Sequence, residues 1–176
     1  MVIAIIGTGP SHIDFFDVAA GYPAIMTCSK ALAWLLEKGI VPTYHVDIDP
    51  GLHKIPTRVD RNVRFLLGDG IHPAYRALVP DAQRAPGEGK QAGDTSILAA
   101  AGLGYTELHC YGFDSSGSGD EDFYFNGKHY RVNENLLGSI HHFENAIWSC
   151  GVIKLKLHGD GLLKAYLEKK YGTQIS

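Results

Sequence analysis

Five short apolar runs in the chain end in glycine, aspartate or both. They read Ile5-Ile6-Gly7-Thr8-Gly9, His45-Val46-Asp47-Ile48-Asp49, Leu66-Leu67-Gly68-Asp69-Gly70, Tyr111-Gly112-Phe113-Asp114 and Leu157-His158-Gly159-Asp160-Gly161. Glycine lets backbone come close to a ligand, and an aspartate beside it can hold a cation or a hydroxyl. At any one end, Gly and Asp are also ordinary turn residues. Their recurrence at five ends points to a shared polar edge. The first end, Gly7-Thr8-Gly9-Pro10-Ser11, is a candidate phosphate loop, since free N–H groups beyond a strand cradle anions and the Ser11 hydroxyl adds a donor. A tight structural turn explains the same residues equally well. His12 stands where a GxGxxG dinucleotide fingerprint needs glycine, and no Gly-Lys-Ser or Gly-Lys-Thr follows as a P-loop would require.

Asp47 and Asp49 carry the second kind of chemistry. With His45 they fall two apart, on one face of a strand near its tip. Neighbouring carboxylates repel unless a proton or cation intervenes, and Mg²⁺ takes one or two carboxylates together with phosphate oxygens. The pair is therefore a candidate metal site; a turn begun by Asp49-Pro50 is the plainer alternative. Thr95 and Ser96 follow Gly93-Asp94 at the start of a helix, where unpaired N–H donors and partial positive charge meet a ligand. Asp94 is the expected N-cap, and an ordinary cap is as good an account of these residues. Asp114 and His158 are the candidates to orient or deprotonate an acceptor hydroxyl, histidine being suited to acid–base work near neutrality. His141-His142 with Glu144 lacks a further ligand at metal spacing and reads as partly packed surface.

The elements that must position these residues follow from hydrophobic period. Strands are expected over residues 2–6, 23–27, 42–48, 63–67, 108–112 and 152–157. Helices are expected over 30–38, capped by Ser29, and over 95–102, 136–149 and 162–171. Residues 80–93 carry Pro, Gly and charge and read as a loop from which Lys90 can reach a phosphate. Residues 123–132 read as a hairpin turning at Asn126-Gly127. Its aromatics Phe123, Tyr124, Phe125 and Tyr130 are expected to cover an acceptor or to dock a second copy, so a homo-oligomer is left open. Alternating strands and helices specify an α/β, Rossmann-like domain: one domain over residues 1–176, a mostly parallel sheet with helices on both faces and a small hairpin insertion.

Composition narrows the function classes. The 176 residues are 45% apolar and 20% charged, values of a globular protein rather than a disordered one. A net charge of -3 gives no basic excess for a phosphate backbone, so no nucleic-acid partner is expected. No apolar run approaches the ~20 residues of a membrane span, and the apolar start stops at Gly7 without a basic leader, so no membrane partner or signal peptide is expected. Three widely spaced cysteines (Cys28, Cys110 and Cys150) form no metal pattern and fit a cytoplasmic protein with reduced thiols.

Several segments together resemble a known family. Gly7-Thr8-Gly9-Pro10-Ser11, the Asp47-Ile48-Asp49-Pro50 end and the stretch over residues 93–114 (GDTSILAAAGLGYTELHCYGFD) resemble the MptE-like family, whose named activity is 6-hydroxymethylpterin diphosphokinase. The first and third segments also resemble bacterial sialyltransferases that use CMP-sugar donors. The resemblance implies a Rossmann-like domain that binds a nucleotide at Gly7–Ser11 and at the Thr95–Ser96 helix start. For the diphosphokinase branch it implies ATP, Mg²⁺ and transfer of diphosphate to the hydroxyl of a small molecule, with Asp47, Asp49 and Asp114 as acidic motif residues. That branch is the leading expectation, because the sialyltransferases need no metal. A CMP-sugar glycosyltransferase, to whose basic histidine His158 matches loosely, is the alternative, and a non-catalytic nucleotide-binding module is a third.

Overall fold

In the computed structural model, residues 1–87, 89–117, 119–150 and 154–172 are described. Val2–Ile6 forms β1, a β-branched run whose side chains alternate into two cores. Ile3 and Ile5 pack on one face of the sheet, and Ala4 and Ile6 on the other. β2 (Ile25–Cys28), β3 (Tyr44–Asp47), β4 (Arg64–Leu67) and the two-residue β5 (Gln83–Arg84) lie successively to one side of it. β6 (Glu107–Tyr111) pairs with the other side of β1, and β9 (Lys154–Leu157) extends beyond it. The order is β5-β4-β3-β2-β1-β6-β9, and every pair is parallel. Parallel pairing puts all the C-terminal strand ends, including the five Gly/Asp-rich ones, along one edge. β7 (Glu121–Phe125) and β8 (Lys128–Val132) form the separate antiparallel hairpin.

Helices cover both faces. α3 (Ala92–Gly102), α4 (Glu134–Ser149) and α5 (Leu162–Tyr171) bury Ile97, Ala99, Ile140, Phe143, Leu163 and Leu167 against Ile3, Ile5, Cys110 and Leu157. On the opposite face, α1 (Ala31–Glu37) splits its buried residues between two clusters: Ala31 and Leu35 pack with Phe15 and Tyr111, and Leu32 and Leu36 with Phe65 and Tyr75. Tyr75 comes from α2 (Pro73–Leu78) and Phe15 from a 3-10 turn over Pro10–Phe15. The chain leaves β1 toward β2 and returns from β5 to β6 on β1's other flank. The gap between the ends of β1 and β6 is thus the topological switch point, where open α/β sheets take ligands.

The α/β class, the mostly parallel sheet and the hairpin agree with the sequence expectation. Several local expectations are corrected. Ser29 caps nothing: α1 has Lys30 at its N-cap, with no side-chain cap bond. α3 starts three residues before Thr95, with Gln91 as N-cap and Asp94 at the third helical position, so Asp94 closes a capping box instead of being the cap. β3 ends at Asp47, and Asp49 lies beyond the strand. The segment expected as loop contains β5 and the first turn of α3. Residues 152–153 of the last expected strand lie outside the described residues. The hairpin aromatics are not uniformly exposed: Tyr130 is buried, Phe125 packs near Tyr166 of α5 under the Lys169 ammonium, and Tyr124 stands in solvent. Among the described residues, no helix is long and apolar enough to cross a membrane.

Candidate functional site at the switch point

A crevice of about 200 Å³ opens between the ends of β1 and β6. Gly7, Thr8, Gly9 and Gly112 form its floor, Cys28 and Ser29 one corner, the start of α3 (Gln91, Ala92 and Gly93) one wall, and Phe113, Ser115, Ser139 and Phe143 the other. Among the described residues, no charged side chain lines it. Its volume lies below the roughly 300–1,000 Å³ of a site that engulfs a whole small molecule, so a larger ligand places there a portion up to about the size of a nucleotide and extends outward with the rest.

The floor glycines serve the floor itself. A Cβ on Gly7 would stand 2.6 Å from the Gly112 carbonyl oxygen, and one on Gly9 would stand 2.4 Å from Asp114 Oδ2. Gly112 has φ +73, and a Cβ there would meet Gly7 oxygen at 2.7 Å. The two loops therefore touch backbone to backbone. The same contact uses the N–H groups that a phosphate loop would offer: Gly7 N–H donates to Tyr111 O (2.7 Å), Gly9 N–H to Gly112 O (2.8 Å) and Ser11 N–H to Asp114 Oδ2 (3.0 Å). Pro10 has no N–H. Thr8, at the turn between the glycines, lines the crevice with an exposed side chain.

Asp114 is the knot beneath this floor. Its Oδ2 accepts from both the N–H and the hydroxyl of Ser11, and the Ser11 oxygen accepts from Gly112 N–H (2.9 Å). Its carbonyl accepts from Leu163 N–H at the start of α5 (3.1 Å) and from the Ser116 hydroxyl (3.3 Å). One residue thus ties the ends of β1, β6 and β9 together. Burial pushes its carboxyl pKa up, against the pull of the Ser11 hydrogen bonds. His158 lies elsewhere. Its ring stacks on Tyr111 (centroids 3.9 Å, 9° between planes), whose side chain packs with Phe15 and α1 on the sheet face away from α3 and α4. Burial, reinforced by the Lys156 ammonium, brings its pKa down to about 4, and its buried Nε2 has no hydrogen-bond partner among the described residues.

Thr95 and Ser96 are fully buried and build the α3 terminus. The Thr95 hydroxyl donates to Gln91 O (2.8 Å) and accepts from Gly89 N–H (3.0 Å), while Ser96 donates to Gly93 O (2.6 Å). Asp94 accepts from the N–H groups of Lys90 (2.9 Å), Gln91 (2.8 Å) and Thr95 (2.7 Å). The crevice is met by the residues just ahead, Gln91–Gly93; the Gln91 N–H is taken by Asp94, and Ala92 and Gly93 stand in the first turn, where a helix supplies no acceptor of its own and its dipole is positive.

Asp47 and Asp49 are spent locally. Asp47 Oδ1 accepts from Asp49 N–H (3.1 Å); Asp49 Oδ1 accepts from Gly51 N–H (2.8 Å), and its Oδ2 faces Lys54 Nζ at 3.6 Å. Burial raises the Asp47 pKa. His45 is neutral, brought down to about 3 by burial and bonded to the Thr27 hydroxyl (2.9 Å). Neither aspartate lines the crevice, and among the described residues no three His, Cys, Asp or Glu side chains gather as a metal group would. These donors do not form a ready cation seat.

Sequence reasoning missed Ser115, Ser116, Ser139 and Gln91 as lining residues and gave Ser29 a different role. Ser29 (φ 51), Ser115 (φ 50) and Asn126 (φ 51) are the non-glycine residues with left-handed backbone among those described. Asn126 is the expected turn residue of the hairpin. The other two line the crevice. A left-handed serine costs roughly 1–3 kcal/mol and persists where surrounding structure enforces it, often at ligand sites.

No family model matches the chain, and no match is found among curated proteins. Among solved structures it is similar to the MAf glycosyltransferase from Magnetospirillum magneticum AMB-1, with a TM-score of 0.73 and 20% identity, over 91% of this chain and 32% of that one. The likeness is one of fold. The chain spans about a third of that glycosyltransferase's length. A probable thiamine pyrophosphokinase from Staphylococcus saprophyticus subsp. saprophyticus also matches, with a TM-score of 0.47 and 17% identity, over 91% of this chain and 66% of that one.

Proposed function

We propose that the domain binds a nucleotide-activated sugar at the switch point and serves glycosyl transfer, with a CMP-sugar as the donor. The observation that carries this is a crevice with no charged side chain among its described lining residues, on which the N-terminus of an eleven-residue helix opens. A helix N-terminus contributes about half a positive charge. That suits the single phosphate of a CMP-sugar; a triphosphate calls for lysines, arginines or a metal, as phosphoryl-transfer sites supply. The fold shared with a glycosyltransferase supports the same choice.

In the transfer, the acceptor hydroxyl oxygen forms a bond to the anomeric carbon and releases its proton to solvent water. The bond from that carbon to the phosphate oxygen breaks, and the nucleoside monophosphate leaves with the electron pair and a second negative charge. The Gln91–Gly93 terminus faces that developing charge, a preorganised dipole of the kind that lowers such barriers. Asp114 acts as a positioning residue by fixing the floor on which the phosphate rests. The diphosphokinase alternative, with ATP and Mg²⁺, rests on the Asp47-Ile48-Asp49-Pro50 resemblance and makes the opposite prediction about metal. Thermal unfolding separates the two. CMP at a hundredfold excess over its Kd raises Tm by about 5–10 °C, equally with Mg²⁺ and with chelator. Stabilisation by ATP that requires Mg²⁺, with none by CMP, would overturn the glycosyl reading.

A further inference from the structure

The crevice wall contributed by α4 has a fixed hydrogen-bond polarity. Ser139, on the first turns of α4, lies 2.6 Å from the Leu136 carbonyl oxygen. A carbonyl oxygen only accepts, so the one Ser139 hydroxyl proton is committed to it. Ser139 is also 2.8 Å from the Ser115 hydroxyl oxygen. With its own proton spent, Ser139 can only accept there, and Ser115 must donate. The Ser115 proton is therefore held by Ser139 and is not free for a ligand in the crevice that both serines line. What Ser115 offers a ligand is lone pairs alone. Both hydroxyls are nearly out of water (Ser115 7% and Ser139 3% exposed), which makes a mismatched ligand group expensive. The left-handed backbone at Ser115 holds the hydroxyl in this place. Ser116 takes no part: it donates to Asp114 O and accepts from Leu162 N–H.

Two aromatic rings, Phe113 and Phe143 (centroids 5.2 Å apart), also line the crevice; both are nearly buried (5% and 7% exposed) and offer it a narrow apolar margin. An apolar margin together with a one-way hydrogen-bonding group suits a nucleobase, whose ring is apolar and whose edge is polar. We infer that Ser115, with its proton held by Ser139, is a specificity residue that accepts from the exocyclic amine of a nucleobase and rejects a carbonyl at the same position. The assignment rests on the nucleotide reading above and adds the side chain that reads the base and the neighbour that sets its polarity.

The test compares CMP with UMP, which differ at C4 by an amine against a carbonyl and at N3 by a lone pair against an N–H. Binding is measured by calorimetry on the wild-type chain, Ser139→Ala and Ser115→Ala. The wild type favours CMP by about tenfold, the scale on which a site with an unmatched buried polar group discriminates. Ser139→Ala releases the Ser115 proton, which can then turn to a carbonyl, so the ratio falls toward one mainly through tighter UMP. Ser115→Ala lowers the ratio through weaker CMP. Equal affinity in the wild type, or an unchanged ratio in Ser139→Ala, overturns the assignment while leaving nucleotide binding standing. Failure of both nucleotides to bind overturns the nucleotide reading and this assignment with it. Should Ser139→Ala not fold, Ser115→Ala decides alone: a ratio kept at its wild-type value is fatal to the proposal.

Discussion

Asp114 has the profile of a catalytic acid in sequence and that of a clamp in space. Its carboxylate is the acceptor for both polar groups of Ser11, and its main chain receives α5. Replacing it with alanine strands a buried N–H and a buried hydroxyl, at about 1–3 kcal/mol each. Asp114→Ala therefore loses several degrees in Tm and weakens nucleotide binding, whereas Asp114→Asn, whose side-chain oxygen still accepts, falls in between. A Tm equal to wild type in both variants would show that the three loops hold together without it. Sequence reasoning found this residue and the two glycines because strand ends advertise themselves by composition. It could not find Ser115 or Ser29. A left-handed serine is imposed by tertiary packing, and nothing in the local sequence distinguishes it from any loop serine.

At the scale of elements, the long buried strands and the helices α1, α4 and α5 were legible because each carries a clear period and a plain stop. α2 was not. It has six residues, of which Tyr75 alone is buried, too few to show a repeat. The start of α3 was misplaced because Asp94 is as good a residue for the third helical position as for the cap, and Gln91 is an unusual cap. The difference matters to function, since it brings Gln91–Gly93 to the crevice and buries Thr95 and Ser96. Asp94 fixes that start by receiving three N–H groups. Asp94→Ala is expected to cost about 2–3 kcal/mol and to speed amide hydrogen exchange at Lys90 and Gln91 while leaving β1 protected. Uniform exchange across both segments would mean that Asp94 supports the whole fold and not this terminus.

For the molecule as a whole, two histidines shape the response to acid. His45 is held at about 3 and His158 at about 4, mainly by burial. Unfolding returns each to about 6.5, so between these values the unfolded chain binds more protons than the folded one. Their contribution is intact above pH 6.5 and is lost as the pH falls toward 4. Asp47 and Asp114, raised by burial, act in the opposite sense. The urea midpoint should therefore drop from pH 7 to pH 5, with a slope of up to about 1.4 kcal/mol per pH unit from His45. His45→Gln should be visibly flatter, and a wild-type midpoint that does not move would contradict the burial of these rings as neutral groups.

The position of β1 has a consequence for how the molecule comes into being. It precedes the other strands of its sheet in the chain, yet one of its two flanks is completed by β6, about a hundred residues later. Parallel pairing over such a separation is slow, because the entropy of closing the loop is spent before any contact repays it. Until then a nascent β1 carries an unpaired backbone edge on a strand of wholly apolar side chains. The contact that finally covers it, Gly7 against Gly112, is also the floor of the crevice. Maturation of the chain and the birth of its binding site are thus one event, and a nascent chain that has not reached Gly112 has nowhere to seat a nucleotide.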